Sequence, residues 1–234
     1  MPENRSVRIL SAGAPKTGVR LCAETFFGKS DNPFEIEFAT APVIRERVTS
    51  GAANADVIVA PVPAMRGFAA DGLIASDSMP AIGSVTAGVV VRNGACDPEV
   101  GSVDAFVAAM LGADRLVYNQ ASSGQYIAAM IDRLGIAGQV AAKTAQLATG
   151  AAVMQFLADD TADKTIGFGQ ITEIKLQEHL GVHLVEPLPE AIGKVTTYAV
   201  GLSPSAENQP DALSLIEFMT SADGKRIFVD SGVV

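Results

Sequence analysis

Short apolar runs alternate with amphipathic stretches along the whole chain. Residues 7–11 form a β-rich run, and Val19, Cys22, Ala23, Phe26 and Phe27 recur at helical spacing within residues 16–27. The pattern predicts a strand, a tight turn and a helix. It then repeats. Residues 34–38 predict a second strand, and Pro42 near a helix start precedes apolar Val43, Ile44 and Val48 set among charged Arg45, Glu46 and Arg47. Residues 55–60 form a continuous apolar strand, with 61–71 helical after it.

From Val85 the alternation restarts. Residues 85–91 predict a strand, 103–111 a helix, 116–118 a strand and 123–134 a helix bounded by Gly135. Residues 143–157 read as one helix, 165–168 as a strand, 170–180 as a helix, 182–185 as a strand and 196–202 as a returning strand. A polar loop at 203–210 overlaps the start of a helix at 206–220, and a last helix follows at 222–230. Strands alternating with helices of about 10 to 15 residues predict a mostly parallel sheet wrapped by helices. Ligands of such sheets bind outside the carboxyl ends of the strands, so the residues just after each strand are the ones to inspect.

At 234 residues the chain is long enough for one large α/β unit or two lobes of about 100 residues each. No segment approaches the ~20 apolar residues of a membrane helix, so no membrane-embedded part is expected. A formal net charge of -9 argues against nucleic acid as a partner, since phosphate binding draws on clustered Lys and Arg. The absence of Trp removes the strongest base-stacking platform as well. Cys22 and Cys96 lack metal or redox spacing and are expected to be two buried thiols. His179 and His183 have i, i+4 spacing, but Gly181 and the β-rich 182–185 run break the helix between them, so no metal site is expected. No phosphate loop, dinucleotide fingerprint or nucleophile elbow is present, and no cofactor is expected. The segment Met1-Pro2-Glu3-Asn4-Arg5 lacks a signal-type apolar core, which points to the cytoplasm, or to the periplasm if a signal peptide has been removed.

Several segments, in order, resemble the molybdate-binding family of the type 2 periplasmic binding proteins. They are Ala12-Gly13-Ala14-Pro15-Lys16 after the first strand, Phe38-Ala39-Thr40-Ala41-Pro42, and Ala55-Asp56-Val57-Ile58-Val59-Ala60. Further on come Gly124-Gln125-Tyr126, Gly167-Phe168-Gly169-Gln170 before Thr172-Glu173, and the run from Ile216 to Gly224. The resemblance implies an α/β, type 2 periplasmic-binding-protein fold: two α/β lobes joined by two hinge strands and closing a cleft on one ligand. The lobes would be 1–84 plus 198–234, and 85–197 inserted between them, with hinges near 84–88 and 195–198.

The family grips a tetrahedral oxyanion with hydroxyls and backbone N–H groups. This chain departs from that pattern. The serines of the first two loops fall at Ala14 and Ala41, and the tyrosine near the later loop falls at Gln170. Each lost hydrogen bond to a charged group is worth about 1.5–3 kcal/mol, so an organic carboxylate is favoured over molybdate. The ligand-binding candidates are Gly13, Ala14, Lys16, Thr40, Ala41, Asn119, Ser122, Ser123, Gly169 and Gln170, with Gln120 beside them. Lys16 heads one helix and Ser122 and Ser123 open another, and helix N-termini favour negative charge. Each residue also has a plain structural reading: Lys16 as a solvated helix residue, Ser122 or Ser123 as an N-cap, Thr40 as a turn hydroxyl, Gly167 and Gly169 as turn residues.

Two functions compete. In the first the chain is a solute-binding protein that closes on a small anionic molecule and delivers it to an ABC permease, working as a monomer. In the second it is a cofactor-independent isomerase of an unsaturated polycarboxylate such as aconitate, a chemistry found on related folds. An allylic proton shift needs a carboxylate clamp and a positioned acid or base, for which Glu173, Lys16 and Tyr118 are the catalytic candidates. Glu173 equally suits its helix dipole, Tyr118 a core position, and Arg66 either a second countercharge or a helix surface. A sensing role without chemistry is a third reading.

Overall fold

In the computed structural model of the chain the described residues are 6–28, 33–75, 79–120 and 122–234, with Ser122 described in its backbone alone. They divide into two units: residues up to Val85 together with Thr196–Val234, and Thr86–Val195. The first unit opens with β1 (Val7–Ala12), α1 (Lys16–Phe27), β2 (Phe34–Ala39), α2 (Ala41–Thr49), β3 (Val57–Pro61), α3 (Val62–Ala70) and β4 (Ala81–Val85). The second runs through β5 (Ala87–Arg92), α4 (Val103–Gly112), β6 (Arg115–Asn119), α5 (Ser122–Arg133), α6 (Ala137–Val140), β7 (Thr144–Leu147), α7 (Gly150–Asp159), β8 (Thr165–Gln170), α8 (Ile171–Gln177) and β9 (Val182–Pro187). The chain then completes the first unit with β10 (Thr196–Leu202), α9 (Gln209–Thr220) and α10 (Ala222–Asp230).

The first unit's sheet has the order β2-β1-β3-β10-β4. β1 is parallel to β2 and β3, and β10 is antiparallel to β3 and β4. Central β3 buries Val57, Ile58, Val59 and Ala60 because both faces of the sheet are covered. Edge strand β2 alternates instead, with Phe34 and Ile36 partly buried and Glu35 and Glu37 exposed. Glu37 pairs with Arg47 of α2.

Asp56, just before β3, is fully buried and ties this unit together. Its carboxylate accepts the backbone N–H groups of Arg8 and Glu207, each at 2.8 Å, and the Arg8 guanidinium at 3.4 Å. Burial alone pushes the carboxyl up, but these donors outweigh it and hold Asp56 below the usual aspartate range. The Asp56 carbonyl also accepts the Ser203 N–H, so the polar segment after β10 is fastened at two points.

The second unit's sheet has the order β7-β6-β8-β5-β9. β6, β7 and β8 are parallel, and β5 is antiparallel to β8 and β9. Apolar clusters fill both faces, one around Phe106, Met130 and Phe168 and the other around Val117, Met154 and Ile174.

Four expectations need correction. The sheets are mixed rather than mostly parallel, because β10 and β5 each run against their neighbours. The single strand at 85–91 is two strands broken at Thr86, one in each sheet. The helix at 143–157 is a 3-10 turn, β7 and then α7: Thr144 to Leu147 pair with Leu116 to Asn119, and Thr149 starts the helix by accepting the Ala152 N–H at 3.1 Å. Four residues are too short a span for periodicity to separate strand from helix. Finally, only Cys22 is buried. Cys96 is exposed on the loop after β5, where no sheet or helix covers it. Both thiols are free, and burial pushes Cys22 up to about 12.

Candidate functional site

In the first unit the parallel strands β1, β2 and β3 end on one edge, with Ala12 paired to Ala39 and Ser11 to Val59. Each is followed at once by a helix, and the residues before α1, α2 and α3 are Pro15, Thr40 and Pro61. None of the three makes a side-chain cap hydrogen bond, and none of the three helices carries an acid in its first turn. Capping and acidic first turns normally offset the free N–H groups and the positive end of the helix. Other helices of the chain use both devices. Ser102 caps α4 above Asp104, and Ser221 caps α10 above Asp223.

Exposed Gly13, Lys16, Thr40 and Ala41 and half-buried Ala14 all lie at these uncompensated helix starts. Lys16 N–H donates to the Gly13 carbonyl, closing a tight turn. A lysine at the first position of a helix adds positive charge to an already positive end, an arrangement that an anion would relieve. Arg66 is exposed on α3, one turn beyond its start.

In the second unit β6, β7 and β8 end on one edge at Asn119, Leu147 and Gln170. Asn119 is buried; its Oδ1 accepts the Gly124 N–H at 3.1 Å and its Nδ2 donates to Ser123 Oγ at 3.0 Å. Asn119 and Ser123 thus build the turn into α5. The side chain of Ser122 lies outside the described residues. Exposed Gln120 is tied to the neighbouring loop by its N–H bond to the Leu147 carbonyl at 2.8 Å.

Gln170 is half-buried before α8 and makes no cap bond. Gly169 is buried, and a Cβ there would come within 2.9 Å of Met154 Cε, the movable tip of a side chain from α7. Glu173, in the first turn of α8, lies against Gly150, where a Cβ would be 2.8 Å from its carboxyl carbon. Its charge therefore serves the N-terminal turn of α7 as well as that of α8. Tyr118 is 5% exposed in the core, and its hydroxyl accepts from Gln146 Nε2 at 3.0 Å.

The two histidines have separate surroundings. His179 Nδ1 meets the Leu176 carbonyl, whereas His183 meets Asn93 and Asp97. Among the described residues no three His, Cys, Asp or Glu side chains group as a metal site. A cavity of about 440 Å³ in the second unit is lined by Cys96, Ala105, Ala109, Lys164 and Thr165. Thr165 is the first residue of β8, so this cavity is at the opposite end of that strand from Gln170.

The sequence reading passed over two residues. Thr149, which caps α7 on the same edge as Asn119 and Gln170, was hidden inside the helix read at 143–157, although a threonine before Gly150 is itself a helix-start signal. Arg20 stands four residues after Lys16 on α1 and places its guanidinium 5.4 Å from the centre of the Phe38 ring.

A chain that builds one α/β unit, inserts a second between β4 and β10, and follows its parallel strands with helices has the type 2 periplasmic-binding-protein fold. It belongs to the bacterial extracellular solute-binding protein family, whose model matches residues 7–234. It is 26% identical over 183 residues to an aconitate isomerase from Pseudomonas sp, across 76% of this chain and 67% of that protein. Among solved structures it is similar to a substrate-binding domain from Clostridium difficile, with TM-score 0.76, 18% identity and 97% of each chain covered. It is also similar to the periplasmic molybdate-binding protein of Azotobacter vinelandii, with TM-score 0.68, 14% identity and coverage of 98% of this chain and 99% of that one. Among the described residues no helix is long and apolar enough to cross a membrane.

Proposed function

We propose that the chain is a solute-binding protein that captures a small organic carboxylate, in preference to molybdate, and delivers it to an ABC permease of the bacterial envelope. One observation carries the reading: α1 and α2 start without a cap or an acid, beside exposed Lys16, while the neighbouring Ala14 and Ala41 offer no hydroxyl. Free N–H groups and one ammonium suit a carboxylate, whose charge is spread over two oxygens. A tetrahedral oxyanion held by neutral hydroxyls would miss those partners here.

The test is a thermal-shift panel of mono-, di- and tricarboxylates beside molybdate, tungstate and sulfate. A ligand at 100 times its Kd stabilises by about 2.7 kcal/mol. That raises Tm by several degrees for a chain of this size. A shift with the metal oxyanions alone would overturn the reading.

A second reading is favoured by the likeness to aconitate isomerase. Turnover needs a base free to reach an allylic proton, and Tyr118 is packed in the core while Glu173 faces the start of α7. Lys16 is then the exposed candidate. Proton NMR of trans-aconitate with the protein in D2O separates the two readings, because isomerisation moves the olefin and exchanges the allylic protons, whereas binding leaves the compound unchanged.

A further inference from the structure

We infer that Arg20 is a second cationic anchor of the first unit's candidate site, and that the ligand carries at least two carboxylates. The inference rests on the reading that the loops after β1 and β2 hold the ligand.

α1 buries Gly18, Val19, Cys22, Ala23 and Phe27, which leaves Lys16 and Arg20 together on an exposed face. At i and i+4 they stand one turn apart, about 6 Å along the axis. Arg20 is not loose in solvent. Its guanidinium lies over Phe38, the next-to-last residue of β2 and two residues before Thr40, a span of about 6.6 Å. The ring therefore fixes the charge beside the loop that leads into α2.

Three other arginines of this unit are engaged with acids: Arg8 with Asp56, Arg47 with Glu37, and Arg226 with Asp223. Arg20 makes no ion pair among the described residues, and Glu24, four residues further on, is not its partner. An arginine whose orientation is already set by an aromatic face loses little freedom on receiving a planar carboxylate. One carboxylate at the bare helix starts with Lys16, and a second one turn further along at Arg20, is a spacing that a di- or tricarboxylate spans and acetate does not.

Isothermal titration of the full chain with acetate, succinate and trans-aconitate tests this, using wild type, Arg20→Gln, Arg20→Lys and Phe38→Leu. Wild type is expected to bind succinate or trans-aconitate at least about tenfold tighter than acetate, the scale of one charged hydrogen bond. Arg20→Gln should remove that preference while leaving acetate affinity within about twofold, and Arg20→Lys should restore part of it. Phe38→Leu, which frees the guanidinium, should reduce the preference in the same direction. Circular dichroism on each variant confirms that the fold is retained. Acetate binding with no preference for the longer acids, or an unchanged preference in Arg20→Gln, overturns the role of Arg20 alone. No binding of any carboxylate by wild type overturns both this role and the site reading beneath it.

Discussion

The backbone carbonyl of Asn119 occupies the place where a Cβ on residue 124 would stand, so α5 can start where it does only because residue 124 is glycine. The same asparagine caps that helix through Oδ1 and holds Ser123 through Nδ2. A single buried side chain therefore fixes a loop at the carboxyl end of β6.

Gly124→Ala is expected to push α5 away from β6. The clash is with backbone rather than with a movable side chain, so a loss of about 2–4 kcal/mol is expected from urea melts. Asn119→Ala should cost less, about 1 kcal/mol for a lost helix cap.

Asp56 gives an acid-sensitive fastening. Its carboxyl is held below the ordinary value of 3.8, so its contribution is complete above that pH and is lost as pH falls through the lower folded value. Asp160 has the same sign, because hydrogen bonds from Thr165 and the Ala162 N–H, together with Arg115, overcome its burial. Asp56→Asn is expected to lose about 3 kcal/mol at pH 7 by removing the buried charge that Arg8 meets, leaving the guanidinium only its longer 3.7 Å pair with Glu207. Its stability should also fall less steeply than wild type between pH 4 and pH 2, which urea melts across that range will measure.

The thiols should react at very different rates. Cys96 is exposed and should react with an aromatic disulfide reagent within minutes at pH 8. Cys22, fully buried and pushed up to about 12, should react only after denaturant unfolds the first unit. Two fast equivalents in native protein would contradict the packing of α1.

Much of this was legible in the sequence. The strand at 196–202, α1 and α10 follow their apolar periodicity to the residue, since each buries one face against a sheet or a neighbouring helix. β7 was not legible: Thr144 to Leu147 alternate over only four residues, too few to separate a strand from a helix, and their pairing along β6 decides it. Cys96 carries no sequence signal that it falls in an uncovered loop. Lys16 was visible as the head of a helix, but the bare caps at Pro15 and Thr40 are facts of geometry. Arg20 was passed over because its neighbour Phe38 is 18 positions away in sequence and meets it only through packing.

The alanines at 14 and 41 are expected to explain selectivity. Installing both hydroxyls as Ala14→Ser with Ala41→Ser should raise molybdate affinity by about tenfold or more per productive hydrogen bond. Titration of the double variant beside wild type measures it, and no gain in molybdate binding would mean that these loops do not face the anion.

In the proposed function the bare starts of α1 and α2, with Lys16, receive a carboxylate. Titrating trans-aconitate and molybdate side by side into wild type and Lys16→Ala tests it most directly. The expected result is saturable binding of trans-aconitate, weakened about tenfold in Lys16→Ala, with molybdate much weaker. Tight molybdate binding without any for trans-aconitate, or carboxylate binding untouched by loss of Lys16, would contradict it.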